Sequence, residues 1–510
     1  MGIKSWLSKP YANWISRQTE RDKRNPIECQ QKVFRNIIGC GQATSFGKQH
    51  RFEQIRSYPD FREQVSVMDY EAYRPWIDRV ASGEKNILWP GLPLYFAKTS
   101  GTTSGIKYIP ITSDSIHNHI DTARNALLNY IRVTGKSAFA DHRMIFVQGS
   151  PVLEKHGVVD TGRLSGIVAR YVPAYLQKNR LPSWETNCID DWEAKVDRIV
   201  DETINERMSL ISGIPPWLRM YFEKLVEQSG KPVGELFPDL QLLVFGGVNF
   251  EPYRPVLDKL IGRKLDTLEL FPASEGFFAF QDTFPGDDML LNVNSGIFYE
   301  FIPLSAYFSP NPERIPLEEV KCGVDYALIV TTNAGLYAYS IGDTVRFTST
   351  NPYRIKVSGR ISQFISAFGE HVIASEVERA LSETLKICPA RIREFSVAPM
   401  IDPKKGTPHH EWLIEFEQEP ESMEKFAETL NDAMCRTNIY YNDLIKGHVL
   451  DGLEITRLLP GVFDNYMRQR GILGGQNKVP RLSNDRSFAD QLYSVNRELT
   501  PKTAQNTEND

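Results

Sequence analysis

PLYFAKTSGTTSGIKYIPIT, Pro93 to Thr112, sets a crest of glycines and hydroxyls between two apolar, strand-compatible flanks. The flanks are PLYFAK (Pro93 to Lys98) and YIPIT (Tyr108 to Thr112), so the nine residues from Thr99 to Lys107 read as a hairpin-like turn on a rigid base. Two glycines, Gly101 and Gly105, let backbone approach a ligand closely. Thr99, Ser100, Thr102, Thr103 and Ser104 add hydroxyl donors, and Lys107 closes the loop with one cation. These are the parts of a polyphosphate cradle, although no G-K-[ST] ends it as in a Walker loop. A flexible Ser/Gly/Thr connector has the same composition.

Outward from the loop, compact apolar or β-branched runs recur at Gln241 to Phe245 (QLLVF), Thr267 to Phe271 (TLELF) and Tyr326 to Thr331 (YALIVT), separated by helix-like stretches. That alternation predicts an α/β fold with a buried sheet. Ser113 to Thr134 reads as one helix ended by Gly135, and Met144 to Val147 as a short strand. Apolar residues at helical spacing from Trp6 to about Val80, punctuated by Pro59 and Pro75, predict a helical entry segment. After Gly359 the texture becomes helix, strand, helix: Glu376 to Leu385, His410 to Glu417, Glu421 to Arg436. The expected division is a large domain over 1–359, whose first 80 residues are helical, a smaller α+β domain over 360–495, and a disordered polar tail over 496–510.

The bulk properties exclude more than they assign. At 510 residues the chain exceeds what one hydrophobic core sustains. Lys+Arg 59 against Asp+Glu 64, with no basic block, argues against a nucleic-acid partner. Six scattered cysteines without C-x-x-C spacing point to a reducing compartment. MGIKSWLSKP carries neither a signal peptide nor, with Trp6 in place of Ser or Thr, a myristoylation signal. The expectation is a cytoplasmic monomer without a membrane partner. His117 and His119, two apart on a helix, face different ways and make no metal pair.

The stretch GEKNILWPGLPLYFAKTSGTTSGIKYIP, Gly83 to Pro110, resembles the Gretchen Hagen type acyl-acid amido synthetases, named from auxin-responsive plant genes, within the adenylate-forming superfamily of acyl-CoA synthetases and luciferases. Shared features run from about Tyr70 to Asp485. The resemblance implies a large adenylate-forming domain of mixed sheets and helices with a small mobile α+β C-terminal domain. It implies ATP and Mg2+ as cofactors, with Ser100, Gly101, Thr102, Thr103 and Lys107 on the phosphates and Thr103 taking part in catalysis.

In LFPASEG, Leu270 to Gly276, it makes Glu275 the magnesium carboxylate and puts Phe271, Ala273 and Ser274 beside the nucleotide, with Phe271 where many relatives have Tyr. Gly247 and Val248 would line the adenine edge. GLYAYSIGDTVRF, Gly335 to Phe347, resembles the family's Y-x-x-G-D motif through Tyr339, Gly342 and Asp343, and Asp343 would accept the ribose hydroxyls. Arg360 would reach the nucleotide at a hinge where Ser362 stands for the usual Asp. GGQNKVPRLSNDR, Gly474 to Arg486, makes Lys478 the active-site lysine, a cation suited to two anionic reactants. Ser165 and Ile167 are the candidates for the acyl pocket.

The implied reaction activates a small carboxylic acid as an acyl-adenylate, releases pyrophosphate, and passes the acyl group to an amine, an amino acid above all, with release of AMP. An acyl-CoA ligase would share the first half. Thr500 to Thr503 (TPKT), however, lacks the G-K that follows in the ligases' lysine motif. A nucleotide- or acyl-binding protein without turnover is the alternative of a different class.

Overall fold

The computed structural model describes residues 2–499 except 102–104, 173–177, 190, 248–249, 251–252, 308, 310–311, 362–363, 366, 369–371, 402, 404–407, 447–448, 474–478 and 484, and leaves aside the side chains of 100, 216, 375, 439, 440 and 443. The chain divides into two compact units, Met1–Val357 and Ser358–Asp510.

The first unit begins with five helices: α1 (Ile3–Arg24), α2 (Pro26–Gly41), α3 (Ser45–Gln49), α4 (Tyr58–Gln64) and α5 (Tyr70–Ala81). Their starts follow capping chemistry. Ser57 and Asp60 form a reciprocal capping box at α4 with Pro59 in its first turn, and the Asp69 carboxylate accepts the Ala72 N–H at 3.1 Å to open α5. Pro75 does not end a helix; it lies inside α5.

Strands β1 (Tyr95–Gly101) and β2 (Gly105–Ile111) pair antiparallel. With β4 (Glu154–His156) and β5 (Val159–Gly162) they make a four-stranded sheet in the order β2-β1-β5-β4. Between these pairs run α6 (Ile116–Thr134), stopped by Gly135 at φ 71°, and β3 (Arg143–Phe146). Short helix α7 (Leu164–Ala169) follows β5.

The large sheet is a twelve-strand array among the described residues. Its parallel half is β6 (Arg180–Leu181), β3, β7 (Met208–Ser212), β8 (Leu242–Gly246) and β9 (Asp266–Ala273), neighbours in the order β9-β8-β7-β3-β6. Its antiparallel half continues through β10 (Gly276–Phe280), β11 (Met289–Leu291), β16 (Tyr353–Arg360), β15 (Tyr339–Thr350), β14 (Asp325–Thr332), β12 (Ile297–Pro303) and β13 (Ile315–Pro316).

Strands β8 and β14 read as unbroken apolar runs, not alternating ones, because both faces are covered; Leu242 to Phe245 and Tyr326 to Val330 are all buried. One core lies between β7 and β8 and the helices Trp192–Thr203, Pro215–Ser229 and Arg254–Ile261, built on residues such as Ile211, Val196, Leu225 and Leu257. On the other face α6 contributes Ala126, Tyr130 and Ile131 against Leu242, Val244 and Leu268.

The second unit holds a three-stranded sheet of β19 (Arg391–Met400), β20 (His409–Gln418) and β21 (Glu454–Leu458), after the small β17 (Phe364–Ile365) and β18 (Val372–Ile373) pair. Helices Ala374–Ile387 and Met423–Thr437 pack on its apolar face. The chain after residue 478 is tied to β19: the Val397 N–H donates to the Arg481 carbonyl at 2.9 Å, and the Ser483 N–H to the Val397 carbonyl at 2.9 Å. Arg481 pairs with Glu394, lies 3.5 Å from Glu378 and sits over the Phe395 ring.

Burial also sets a pH response. His119, on the inner face of α6 at 3% exposure, has its imidazole pushed down to about 4 by burial, and its Nδ1 has no partner. The unfolded chain therefore takes up a proton near the ordinary value of 6.5 that the folded chain refuses until about 4. Stability is expected to fall by about 3 kcal/mol as pH drops through that window. His119→Gln should remove that part of the slope in urea unfolding measured from pH 7 to pH 4.

Candidate functional site

In the parallel half, the carboxyl ends of β8 and β9 carry Gly247 and the candidates Phe271 to Glu275, at the kind of place where open α/β sheets bind ligands. Gly246 ends β8 and pairs with Leu270 of β9, which brings Gly247 level with Phe271. A Cβ on Gly246 would collide with the Leu270 carbonyl, and Gly247 sits at φ +81° over Ile214. Glycine is demanded at the first position by proximity and at the second by conformation.

Strand β9 then turns back into β10 through two residues, Ser274 and Glu275, with Ala273 and Gly276 paired across the turn. The turn is anchored from α6. The Asn118 side chain accepts the Phe277 N–H at 2.6 Å and donates to the Phe277 carbonyl at 3.3 Å. Ser274 is buried and Glu275 half-exposed on a turn that its neighbours hold still. Phe271 is 5% exposed and packs edge-on against Phe278 with ring centres 5.1 Å apart. Its ring belongs to the core more than to an open surface.

The glycine-hydroxyl loop is the tip of the β1–β2 hairpin. Thr99 pairs with Lys107, Ser100 with Ile106 and Gly101 with Gly105. Residues 102–104, which include Thr102 and Thr103, lie outside the described residues. The base is rigid, as Phe96, Ala97, Ile109 and Ile111 are fully buried and Tyr108 stacks on His156 at 3.8 Å. Tyr70, first residue of α5, latches this hairpin: its hydroxyl accepts the Tyr108 N–H at 2.9 Å, and the Lys107 ammonium lies 5.8 Å from its ring centre.

Asp343 stands on a bulge of β15. Thr344 pairs with Ala327 and Ser340 with Ile329, so three residues, Ile341 to Asp343, face the single Leu328 of β14. Gly342 takes φ +86° with open space where a Cβ would point. The excursion carries Asp343 out of the strand's pleat.

Tyr339, at the start of the same strand, joins these parts. Its phenol is buried with no hydrogen-bond partner. Its ionisation is pushed well above the ordinary value, by burial first and then by the neighbouring charge of Glu275, with Tyr70, Tyr73 and Asp69 contributing. Glu275 of the β9–β10 turn and Tyr70, the latch of the hairpin, thus both neighbour one unsatisfied hydroxyl at the start of the bulged strand. The Glu275 carboxylate near a buried hydroxyl without a hydrogen bond, in a unit whose described residues hold no cluster of three His, Cys, Asp or Glu, fits a hard cation that brings its other oxygen ligands with it.

Ser165 and Ile167 lie on α7, which touches both α6 and β1; Ser165 is half-buried and Ile167 fully buried. Arg360, half-exposed, ends β16 in the second unit. Val248, Ser362 and Lys478 lie outside the described residues. His117 is exposed and His119 buried, so the two diverge as their spacing requires.

Tyr70 and Asn118 carry no motif in the sequence that points to these roles. Asn118 sits between the two histidines, a buried amide whose only signal is its place on the inward stripe of α6. Tyr70 had a helix-start position after Asp69 as its sole mark.

Comparison with known proteins covers nearly the whole chain. Residues 15–170 match the GH3 family N-terminal domain, 290–360 the GH3 family central domain and 375–487 the GH3 family C-terminal domain. The chain is 22% identical to the indole-3-acetic acid-amido synthetase GH3.15 of Arabidopsis thaliana, over 90% of each chain. It is 23% identical to the 4-substituted benzoates-glutamate ligase GH3.12 of the same plant, over 65% of this chain and 61% of that one. In fold it is similar to AtGH3.15 acyl acid amido synthetase in complex with 2,4-DB, with a TM-score of 0.79, 18% identity and coverage of 95% and 96%. A 2-hydroxyisobutyryl-CoA ligase shares the architecture at a TM-score of 0.60 and 14% identity over 93% of each chain. With its three regions matched in order across both units, the chain belongs to the GH3 family.

Proposed function

We propose that this chain is an ATP-dependent acyl-acid amido synthetase that forms an amide through an acyl-adenylate. The observation that carries the reading is the Glu275 turn, set beside the glycine turn that ends β8, with Glu275 and the hairpin latch Tyr70 both neighbouring buried Tyr339 on the strand that carries the Asp343 bulge. Membership in the GH3 family, whose relatives include amido synthetases and a benzoate-glutamate ligase, supports the choice of an amine acceptor.

A carboxylic acid is already ionised at neutral pH, so the first step needs no base; it needs alignment and charge neutralisation. One carboxylate oxygen attacks the α-phosphorus of ATP, the bond to the bridging oxygen breaks, and pyrophosphate leaves with its electron pair. Lys107 and the hairpin's hydroxyls and N–H groups hold the phosphates, and Asp343 receives the ribose hydroxyls. Glu275 would hold Mg2+, which when bound would offset the phosphate charge. Buried Tyr339 keeps the Glu275 turn in a low-dielectric setting where that charge acts strongly. In the second step an amine, an amino acid by analogy with the relatives, attacks the acyl carbonyl and expels AMP, losing a proton to solvent or to a second substrate group. The parts given to Lys478, Thr103, Val248 and Arg360, and the acyl pocket at Ser165 and Ile167, rest on the family resemblance alone.

The reaction requires neither nucleic acid nor a second chain. Six free cysteines support a reducing, cytoplasmic setting.

Purified protein with ATP, Mg2+ and a panel of carboxylic acids is expected to show acid-dependent pyrophosphate exchange, and mass spectrometry with mixed amino acids should show an amide. A thioester on adding CoA, with no amide from any amine, would assign the second step to a CoA ligase. No exchange with any acid, despite measurable ATP binding, would leave a binding protein. Lys478→Ala should abolish exchange while ATP binding stays within about threefold of the unaltered protein; undiminished exchange would remove Lys478 from the site. Asn118→Ala leaves the buried Phe277 N–H unpaired and frees the Glu275 turn. It should cost about 2 kcal/mol in urea unfolding and slow exchange, most visibly at limiting Mg2+.

A further inference from the structure

Helix α1 is packed with its small residues inward and its large ones outward. Ser5, Ala12 and Ser16 are buried, whereas Ile3 (79%), Trp6 (66%), Leu7, Tyr11 and Trp14 (62%) are exposed. At about 100° per residue, positions 3, 7 and 14, with 6 and 11 beside them, make one stripe, and 5, 12 and 16 make the opposite one.

The helix is firmly seated. The Gly2 and Ser5 N–H groups donate to the Asp141 carboxylate at 2.7 and 3.1 Å, the Ser5 and Ser137 hydroxyls are 2.6 Å apart, and Ala12 packs with Ala126 and Leu128 of α6. Docking uses the small face and leaves two tryptophans to water, the reverse of what apolar burial alone would select. Five of the exposed large apolar side chains among the described residues fall on this one helix.

Charge says what covers the stripe. Residues 1–19 contain Lys4, Lys9 and Arg17 and no Asp or Glu. Arg17, Arg21 and Arg24 continue the exposed side of the helix. Its two acids turn inward: Glu20 bonds Arg132 at 2.8 Å, and half-buried Asp22 bonds Gln18 at 2.8 Å and Asn294 at 3.1 Å. A second copy of this chain would bring the same cations against themselves. An anionic bilayer surface satisfies both features, with tryptophan and tyrosine at headgroup depth and lysine and arginine on the phosphates. No helix among the described residues is long and apolar enough to cross a membrane, so such contact lies in the plane of the surface.

We propose that the outward face of α1, Ile3, Trp6, Leu7, Tyr11 and Trp14 with Lys4, Arg17 and Arg21, docks the protein on an anionic phospholipid surface. This departs from the expectation of no membrane partner. That expectation came from the absence of a continuous apolar run, whereas the apolar residues here are spaced around a helix.

The test is flotation of the full-length protein with vesicles of phosphatidylcholine alone or with roughly one-third phosphatidylglycerol. Binding is expected to the anionic vesicles only, and to be released by high salt. Trp6→Ser with Trp14→Ser, and separately Arg17→Gln with Arg21→Gln, should each weaken it about tenfold while leaving acid-dependent pyrophosphate exchange unchanged. No flotation with anionic vesicles, equal flotation with neutral ones, or undiminished flotation of the serine variant would overturn the proposal. Flotation absent while a concentration-dependent dimer, seen by sedimentation velocity, is abolished by the serine pair would assign the face to a second copy instead.

Discussion

Strands β8 and β9 approach so closely at Gly246 and Leu270 that no side chain fits between them, and the rest of the candidate site is placed from that contact. Because the two strands run parallel, both reach their carboxyl ends on the same side, and the close approach puts the Gly247 turn beside Phe271. The next residues of β9 have nowhere to go but back, through a two-residue turn whose outer position is Glu275. Asn118 holds the return strand at Phe277, and Glu275 neighbours Tyr339, whose buried phenol has no hydrogen-bond partner among the described residues. A polar atom left bare in a core is costly, so its persistence marks a place where something else completes the arrangement.

Much of this was legible in the sequence, for identifiable reasons. The runs at 241–245 and 326–331 are nearly continuous in apolar residues, which a doubly covered strand tolerates, and they became β8 and β14; 267–271, with Glu269 between Leu268 and Leu270, became the partly buried β9. The flanks of the glycine-hydroxyl loop likewise became a hairpin with a buried base. Less legible was anything that depends on pairing between distant segments. The Asn118 clamp spans 159 residues, and the Tyr70 latch joins a helix start to a strand 38 residues on. Neither leaves a local pattern, since an amide on an inward helix stripe looks like a packing exception until its partner is known.

The same limit explains the first helix. Periodicity shows that α1 has an apolar stripe but not which stripe meets the protein, and here the small residues won because Ser5 and Ser137 bring the two backbones close while Asp141 caps the helix start. Polar anchoring at the amino end and a charge clasp between Glu20 and Arg132 further along settle the rotation of the helix. With that rotation fixed, hydrophobicity is left to act outward.

The bulge in β15 has a further consequence. Between Ser340 and Thr344 the strand spends four steps where β14 spends two, an excess of one full pleat repeat. An excess of one residue would have turned every later side chain from core to surface, whereas an excess of two lets Val345 and Phe347 stay buried in phase with the residues before the bulge. The strand thus carries a detour of even length, which frees the Gly342-Asp343 pair from the sheet's alternation while the sheet keeps its own count. A segment built this way can lengthen or shorten in pairs, changing how far its carboxylate reaches, without the hydrophobic core registering the edit.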